Sequence, residues 1–489
     1  MFLPTPGALF VFVVGILAVP LMAGPERQTG QRKMEAELEP VLSLALAAPP
    51  ELAAGALLRL APLVADKDLR RDLLSMAFQL SGKAQNPVRL MPFPGTEATR
   101  TGSSGGAMGL KLDTLSIESR VVVEMAALDP GRARDLFRAI ARPEVSTIGC
   151  EGALVPDVSP YYEAVTAVAM RGFSQPERAK GEHIEFVTAA LAPGLKIVDI
   201  IPSVRMLLSL GLTAEEFKTV LAVLAKKLDA MPPDARSFLY FSRSIEAALG
   251  ALIGQARQSG VPADGVIDAY RRFLLNQFRS PHCADGGVRT AQLAQQTSLF
   301  GEAIRGGRPP IDVGEMTMPV IEGEMKLDRY WQSDAAIQLQ ERAPRLGQGP
   351  EGEPIADPAR RAAEWKRQMS EFLRSLDEGA LGGSDRDQFH QKAMLYETLL
   401  ELLPPGELSD LVAGHFAGFL KSSDIQRQNV EEWLWRARSM VHRLRQNQPQ
   451  KAARLLSEYQ SSGNIDLMLE AMLDRAAPER VQPGGPVLP

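Results

Sequence analysis

Cysteine, histidine and strand-forming patterns are all scarce in this chain, and each shortage excludes a class of protein. Only two cysteines and five histidines occur in 489 residues, and neither cysteine has another nearby, which excludes a closed zinc site with clustered ligands. Segments in which Val, Ile or Thr alternate with polar residues are almost absent, which excludes a β-sheet protein. The net charge of −5 gives no electrostatic support for a nucleic-acid partner.

What is abundant is helical sequence. Aromatic residues make up only 6% of the chain, whereas Ala and Leu recur throughout, a mixture typical of helices that pack through small and aliphatic side chains. We therefore predict an all-α protein, built as an irregular stack of helical hairpins similar to an α-solenoid, with a long insertion rich in Gly and Pro.

The first 25 residues carry no charged side chain, and residues 8–23 form the most apolar run of the chain. This length fits the hydrophobic region of a secretory signal, and Ala23 and Gly24 are small enough to flank a cleavage site. No basic residue precedes the run, however, and Arg27, Arg32 and Lys33 follow it, a distribution that favours an uncleaved anchor. We expect export to the periplasm or the extracellular space, with membrane anchoring through residues 8–23 as the alternative.

Shifts in composition divide the chain into seven parts. They are a signal peptide or N-terminal anchor (1–24), N-terminal helices (25–82), a flexible linker (83–112), a central helical-hairpin domain (113–300), a Gly/Pro-rich irregular segment (301–358), a C-terminal helical domain (359–477) and a disordered tail (478–489).

The clearest helix follows Thr213, which forms a capping box with Glu216. Its apolar residues recur at helical spacing and predict one buried face: Phe217, Val220, Leu221, Leu224, Leu228 and Met231. Residues 128–137 and 447–456 each resemble the junction between tetratricopeptide-type hairpins. The intervals between helix-starting prolines vary too widely for a fixed period of 34, so the resemblance assigns no family.

Cys150 and Cys283 are the only thiols, and an even number in an exported chain predicts that they pair. Both lie in polar segments rich in turn-forming residues, which indicates loop ends rather than the core. The alternative is two unrelated buried thiols, because free cysteine is often buried.

No motif for catalysis, for a metal or for a cofactor is present. The glycine cluster at residues 101–109 follows no strand and is not completed by a Gly-Lys-Ser/Thr triplet, so it predicts a linker rather than a phosphate loop. We expect no cofactor and no metal.

Two groups of residues are candidates for a binding surface. If the disulfide forms, Tyr161 and Tyr162 lie near His282 and Asp285 and could form one rim with Cys150, with one tyrosine buried and the other exposed. On a later helix, four residues share a face that could contact a sugar, a lipid headgroup or a partner helix: Trp435, Arg438, His442 and Arg445. The structural alternative is that the arginines interact with the negative end of their helix and that Trp435 packs on the next hairpin. The buried stripe of this helix is predicted to be Val430, Trp433, Leu434, Ala437, Val441 and Leu444.

These observations predict an exported helical-repeat-like binding or scaffolding protein without catalytic activity of its own. Its partner would be a protein or a glycan, with membrane contact only through an uncleaved N-terminal segment. The alternative is an exported all-α hydrolase or lyase of polysaccharide or cell-wall glycan, which would need two carboxylates about 5–9.5 Å apart across a cleft.

Overall fold

The computed structural model describes residues 39–93, 110–145, 148–192, 194–283, 300–311, 319–322, 333–346, 357–379 and 381–476. These residues are mostly helical, which confirms the all-α class. The predicted signal segment (1–24), most of the linker (94–109) and the C-terminal tail (478–489) lie outside the described residues.

The N-terminal part begins with a helical segment at residues 39–47. The helices that follow are α1 (Pro50–Leu60), α2 (Lys67–Ser81), α3 (Thr114–Leu128), α4 (Pro130–Ala139), α5 (Ser159–Arg171), α6 (Gln175–Ala179), α7 (Glu182–Leu191), α8 (Ile197–Ser209), α9 (Ala214–Asp229), α10 (Ser237–Gln258), α11 (Asp264–Arg279) and the short α12 (Glu302–Arg305). Many of them pack on the next helix but one: α5 contacts α3, α8 contacts α10, and α9 contacts α7 and α11. Helix α5 also contacts α8.

The C-terminal part continues the helical architecture. Its helices are α13 (Asp334–Arg342), α14 (Pro358–Glu378), α15 (Asp385–Leu402), α16 (Glu407–Ser422), α17 (Ile425–Gln428), α18 (Val430–Asn447), α19 (Pro449–Ser461) and α20 (Ile465–Ala476). Here α16 packs on α15 and α19, and α19 also contacts α18 and α20.

Helix α9 forms as its sequence predicts. Thr213 is the N-cap: its hydroxyl accepts a hydrogen bond from the backbone N–H of Glu216, whose carboxylate in turn accepts from the backbone N–H of Thr213. All six residues of the predicted apolar face are buried. The same holds for α18, where all six predicted stripe residues, Trp433 among them, are buried.

Four short strands join segments that the sequence analysis left irregular. Strand β1 (Leu90–Pro92) pairs antiparallel with β2 (Leu154–Pro156), and β3 (His282–Cys283) pairs parallel with β4 (Val320–Ile321). The start of the predicted linker is therefore attached to the body, and a salt bridge between Arg89 and Asp157 reinforces it. Within residues 301–358, predicted to be irregular, α12 and α13 are helical.

The buried apolar residues form two cores. The N-terminal core collects side chains from residues 41 to 311, and the C-terminal core collects side chains from residues 336 to 471. Helix α20 belongs to both, because Leu469 and Leu473 enter the N-terminal core while Leu467 enters the C-terminal core. Helix α1 packs mainly in the N-terminal core, but its Leu52 enters the C-terminal core.

A buried ionic cluster holds the boundary at α1 and α20. Glu470 of α20 is 6% exposed and bridges Arg59 of α1 at 3.3 Å and Arg438 of α18 at 2.8 Å. Burial raises the pKa of the Glu470 carboxyl, but the two guanidinium groups outweigh it, and the net pKa is lowered. This carboxylate is therefore ionised and links both parts of the molecule.

None of the described helices has an apolar stretch long enough to span a bilayer.

Candidate functional site

An open groove lies between α15 and α16 and is closed at one end by the end of α14. It encloses about 710 Å³, a size typical of small-ligand sites. Helix α15 contributes Asp385, Gln388, Phe389 and Lys392, which recur at the spacing of one helix face. Helix α16 contributes Gly414, His415, Gly418, Phe419 and Ser422 in the same way. We call this the α15–α16 groove.

At one end of the groove, the Asp377 carboxylate contacts two other side chains, His415 and Tyr396. Its carboxylate oxygen Oδ2 lies 2.8 Å from Nδ1 of His415, and its other oxygen accepts a hydrogen bond from the hydroxyl of buried Tyr396. Burial and the neighbouring carboxylate both raise the pKa of that tyrosine, which is a neutral donor. An imidazole held by a carboxylate through one ring nitrogen keeps a fixed orientation, with Nε2 as the remaining nitrogen.

Lys392 stands beside this group. Its ammonium donates to the backbone carbonyl of Asp377 at 3.0 Å, and burial lowers the pKa of the amine. At the opposite end of the groove lie Asp385 and Asp424, both exposed. Within the described residues neither of these two carboxylates has a hydrogen-bond or ion-pair partner. The lining therefore holds three carboxylates against one lysine.

The middle of the groove is aromatic and open. Phe419 is half-buried and stacks on the buried Phe389 with ring centroids 5.3 Å apart. A Cβ at Gly418 would meet no atom within 4 Å, so this glycine leaves space next to the Phe419 ring. A bound group could lie against the ring and still reach polar groups at both ends.

A second polar region lies at the boundary of the two cores, where the N-terminal ends of three helices converge. Asp113 caps α3, Glu51 lies in the first turn of α1, and Glu431 lies in the first turn of α18. Burial and the charges of Asp113 and Glu51 raise the pKa of Glu431 to about 7. Asn86 donates a hydrogen bond to Glu431 at 3.3 Å. We call Glu51, Asp113 and Glu431 the boundary carboxylates.

The predicted disulfide is present. Cys150 and Cys283 are joined across 133 residues, which links the segment before β2 to strand β3. The expected loop setting is wrong for Cys283, which is 1% exposed, because β3 is covered by its neighbours.

The rim predicted near the disulfide is wrong as an exposed surface. Tyr161 and Tyr162 are both buried, and the hydroxyl of Tyr162 donates to Asp199 at 3.0 Å. His282 is 1% exposed, its ring stacks on Phe238, and burial lowers the pKa of its imidazole. The packing of neighbouring helices buries these side chains, which the local sequence does not show. Asp285 lies outside the described residues.

The predicted face of α18 makes contacts within the chain. Arg438 pairs with Glu470 and Arg445 pairs with Asp474, both on α20. These pairs, rather than the negative end of α18, hold the two arginines. His442 is half-buried with Nε2 2.9 Å from the side-chain nitrogen of Gln446. Trp435 is half-buried, with the Arg436 guanidinium 4.6 Å from the centre of its ring. A binding role for this face stays a prediction.

The α15–α16 groove was missed by the sequence analysis. Its one local signal is the run from Gly414 to Phe419, in which two glycines four residues apart flank a histidine and a phenylalanine on a helix. The acidic partner Asp377 comes from a different helix, and no local pattern connects it to His415. Among the described residues, no group of three or more His, Cys, Asp or Glu side chains is arranged to hold a metal ion.

No protein-family model, no curated protein and no solved structure matches this chain.

Proposed function

We propose that the protein is an exported helical binding protein and that the α15–α16 groove is its ligand-binding site. The observation that carries this proposal is the groove itself. It combines an oriented imidazole, a half-buried aromatic ring and two exposed carboxylates in one open site of ligand size. A few directed polar groups around an apolar middle are typical of binding sites.

The helical packing supports a binding role. In the N-terminal part, α3, α5, α8 and α10 form one row of successive contacts, and α7, α9 and α11 form a second. Two rows of this kind are what an irregular stack of hairpins similar to an α-solenoid would produce, and such stacks present extended surfaces to partners.

Binding is favoured over catalysis at the groove because a nucleophile next to His415 is missing from its lining. Ser422 lies on the same face of α16, but two helical turns away, or about 10 Å along the axis. A base that acts on a hydroxyl must lie within hydrogen-bond reach of it.

A blocking substitution tests the proposal. Gly418→Leu projects a side chain into open space in the groove, and replacing a helical glycine stabilises a helix by up to about 1 kcal/mol. Gly254→Leu in α10 is the matched control, because a Cβ there also meets nothing within 4 Å. Saturation-transfer NMR would use capped tripeptides and the trimer of N-acetylglucosamine as probes. We expect at least one probe to bind the wild type and the control but not the Gly418→Leu variant.

Two results would contradict the proposal. One is that no probe binds the wild type, and the other is that binding persists in the Gly418→Leu variant although that variant is folded, as shown by its melting temperature.

Export is supported by the apolar run at residues 8–23 and by the disulfide, since disulfides persist in oxidising compartments. N-terminal sequencing of the mature protein distinguishes cleavage near Ala23 from an uncleaved anchor. A mass measurement that finds two free thiols on exported protein would contradict the pairing.

The boundary carboxylates favour a second candidate function, an all-α hydrolase or lyase of glycans. A glycan hydrolase needs a carboxyl that is protonated near neutral pH, and Glu431, with its pKa raised to about 7, has this property. Release of reducing ends from cell-wall glycan by the wild type, abolished in Glu431→Gln, would support an enzyme. Turnover that is unchanged in the variant would exclude this site.

A further inference from the structure

We propose that the α15–α16 groove binds a short extended peptide segment that carries an arginine or lysine side chain. This inference rests on the proposed binding function and adds the chemical class of the ligand. It is drawn from the length of the groove, from its charge and from the position of its aromatic ring.

The groove has the length of a few extended residues. On α16 the lining runs from Gly414 to Ser422, which is roughly 12 Å along the helix axis. An extended chain rises about 3.3 Å per residue, so three or four residues fit along the groove.

The charge of the lining selects a cation. Asp385 and Asp424 lie together with Ser422 and Ser423 at one end, where α16 ends and α17 begins. The carbonyl end of α16 and the amide end of α15 both lie there and oppose each other, so the two carboxylates determine the sign of the charge. Asp377 at the other end is already engaged by Tyr396 and His415, so Asp385 and Asp424 remain for a ligand.

The aromatic middle suits the stem and the head of a long basic side chain. Phe419 is half-buried against Phe389, and the open space at Gly418 lies next to it. A methylene chain can cover the ring while its charged head reaches the carboxylates, and a guanidinium or ammonium within about 6 Å of a ring is attracted to its face.

The other end provides partners for a peptide bond. Nδ1 of His415 faces Asp377, so in the neutral ring Nδ1 carries the proton and Nε2 accepts a hydrogen bond. Lys392 uses one ammonium proton on the carbonyl of Asp377 and keeps two for other acceptors. An amide N–H can therefore donate to His415 while a carbonyl accepts from Lys392.

The experiment compares three capped tripeptides, Ala-Arg-Ala, Ala-Gln-Ala and Ala-Glu-Ala, by calorimetric titration at low salt. We expect the arginine peptide to bind about tenfold more tightly than the other two, from one exposed ion pair together with one cation–π contact. The double variant Asp385→Asn with Asp424→Asn should reduce this preference to less than about threefold, because the cation–π contact alone remains. Raising the salt concentration should reduce the preference in the wild type but hardly in the double variant.

The outcomes separate this inference from the proposed function. If the glutamine or glutamate peptide, or the N-acetylglucosamine trimer, binds as tightly as the arginine peptide and Gly418→Leu blocks it, the ligand class is wrong and the groove is still a binding site. A preference for arginine that survives in the double variant also overturns the ligand assignment. If no probe binds the wild type, or Gly418→Leu changes nothing, the proposed function fails as well.

Discussion

Two polar clusters lie where the N-terminal core meets the C-terminal core, and they differ in how their charges are balanced. Around Glu470, two arginines face one carboxylate, and the pKa of that carboxylate is lowered. Around Glu431, three carboxylates come together, and the pKa of Glu431 is raised to about 7. Arg89 lies near the second cluster, but it forms a salt bridge with Asp157.

The comparison shows that one boundary can combine a carboxylate that stays ionised near neutral pH, Glu470, with a carboxyl that changes its charge there, Glu431. The two clusters respond to pH in opposite directions. The stability that Glu470 contributes is present above pH 4.5 and is lost as the pH falls through its lowered folded value. Glu431 binds more protons when folded, so its contribution is complete below pH 4.5 and is lost as the pH rises to about 7.

The largest effect is expected from Glu470→Ala, which leaves Arg59 and Arg438 without their shared carboxylate. Removing one partner from a buried ionic cluster costs about 3–5 kcal/mol, because the remaining charges stay desolvated. Denaturant unfolding at pH 7 measures this loss. Glu458→Ala is the control, since Glu458 pairs with Arg454 within α19 and Arg454 is half-exposed, so a cost below about 0.5 kcal/mol is expected. Equal losses in the two variants would show that the Glu470 cluster does not hold the boundary.

An effect of opposite sign is expected from Glu431→Gln. The amide keeps the shape of the protonated carboxyl and cannot ionise, so the variant should be more stable than the wild type at pH 8 and nearly equal to it at pH 5. The pKa shift from 4.5 to about 7 sets an upper limit of about 3 kcal/mol, and partial exposure reduces the expected gain to about 1–2 kcal/mol.

Unfolding curves of the wild type and the variant between pH 4.5 and 8 check this prediction. Glu118→Gln is a useful comparison, because burial raises the pKa of Glu118 to about 7 as well, but between α2 and α3 rather than at the boundary. Both variants should flatten the pH dependence of the free energy of unfolding. A Glu431→Gln variant that is less stable at pH 8 would mean that Glu431 is ionised and favourably paired.

The smallest effect is expected from Asn86→Ala, which removes the hydrogen bond to Glu431. A single exposed hydrogen bond contributes less than about 1 kcal/mol, and a charged acceptor makes it stronger. The loss should therefore be greater at pH 8 than at pH 5. The variant should also raise the pKa of Glu431 further, and NMR titration of the carboxyl carbon measures this shift. A pKa that falls in the variant would contradict the assigned contact.

The sequence predicts those features that depend on residues close together in the chain. The capping box at Thr213 and the apolar faces of α9 and α18 are confirmed, because spacing along a helix determines which residues share a face. The disulfide is also confirmed. It could be predicted because two cysteines allow only one pairing. Burial of Tyr161 and His282 could not be predicted, because it depends on helices distant in sequence.

The groove shows the same limit. The residues that α16 contributes are visible in the sequence as a run with two glycines, but their meaning depends on Asp377 and Lys392 from two other helices. The ion pairs of Arg438 and Arg445 likewise depend on the position of α20. In an all-α chain without a fixed sequence period, no local rule decides which helices become neighbours.

Helix α20 has a consequence for how the protein is made. Because Leu469 and Leu473 belong to the N-terminal core, that core is incomplete until α20 has left the ribosome. Most multidomain proteins fold from the N-terminus while synthesis continues. Here the N-terminal helices can pack on one another during synthesis, but the apolar face that Leu469 and Leu473 cover stays exposed to water until α20 docks on it.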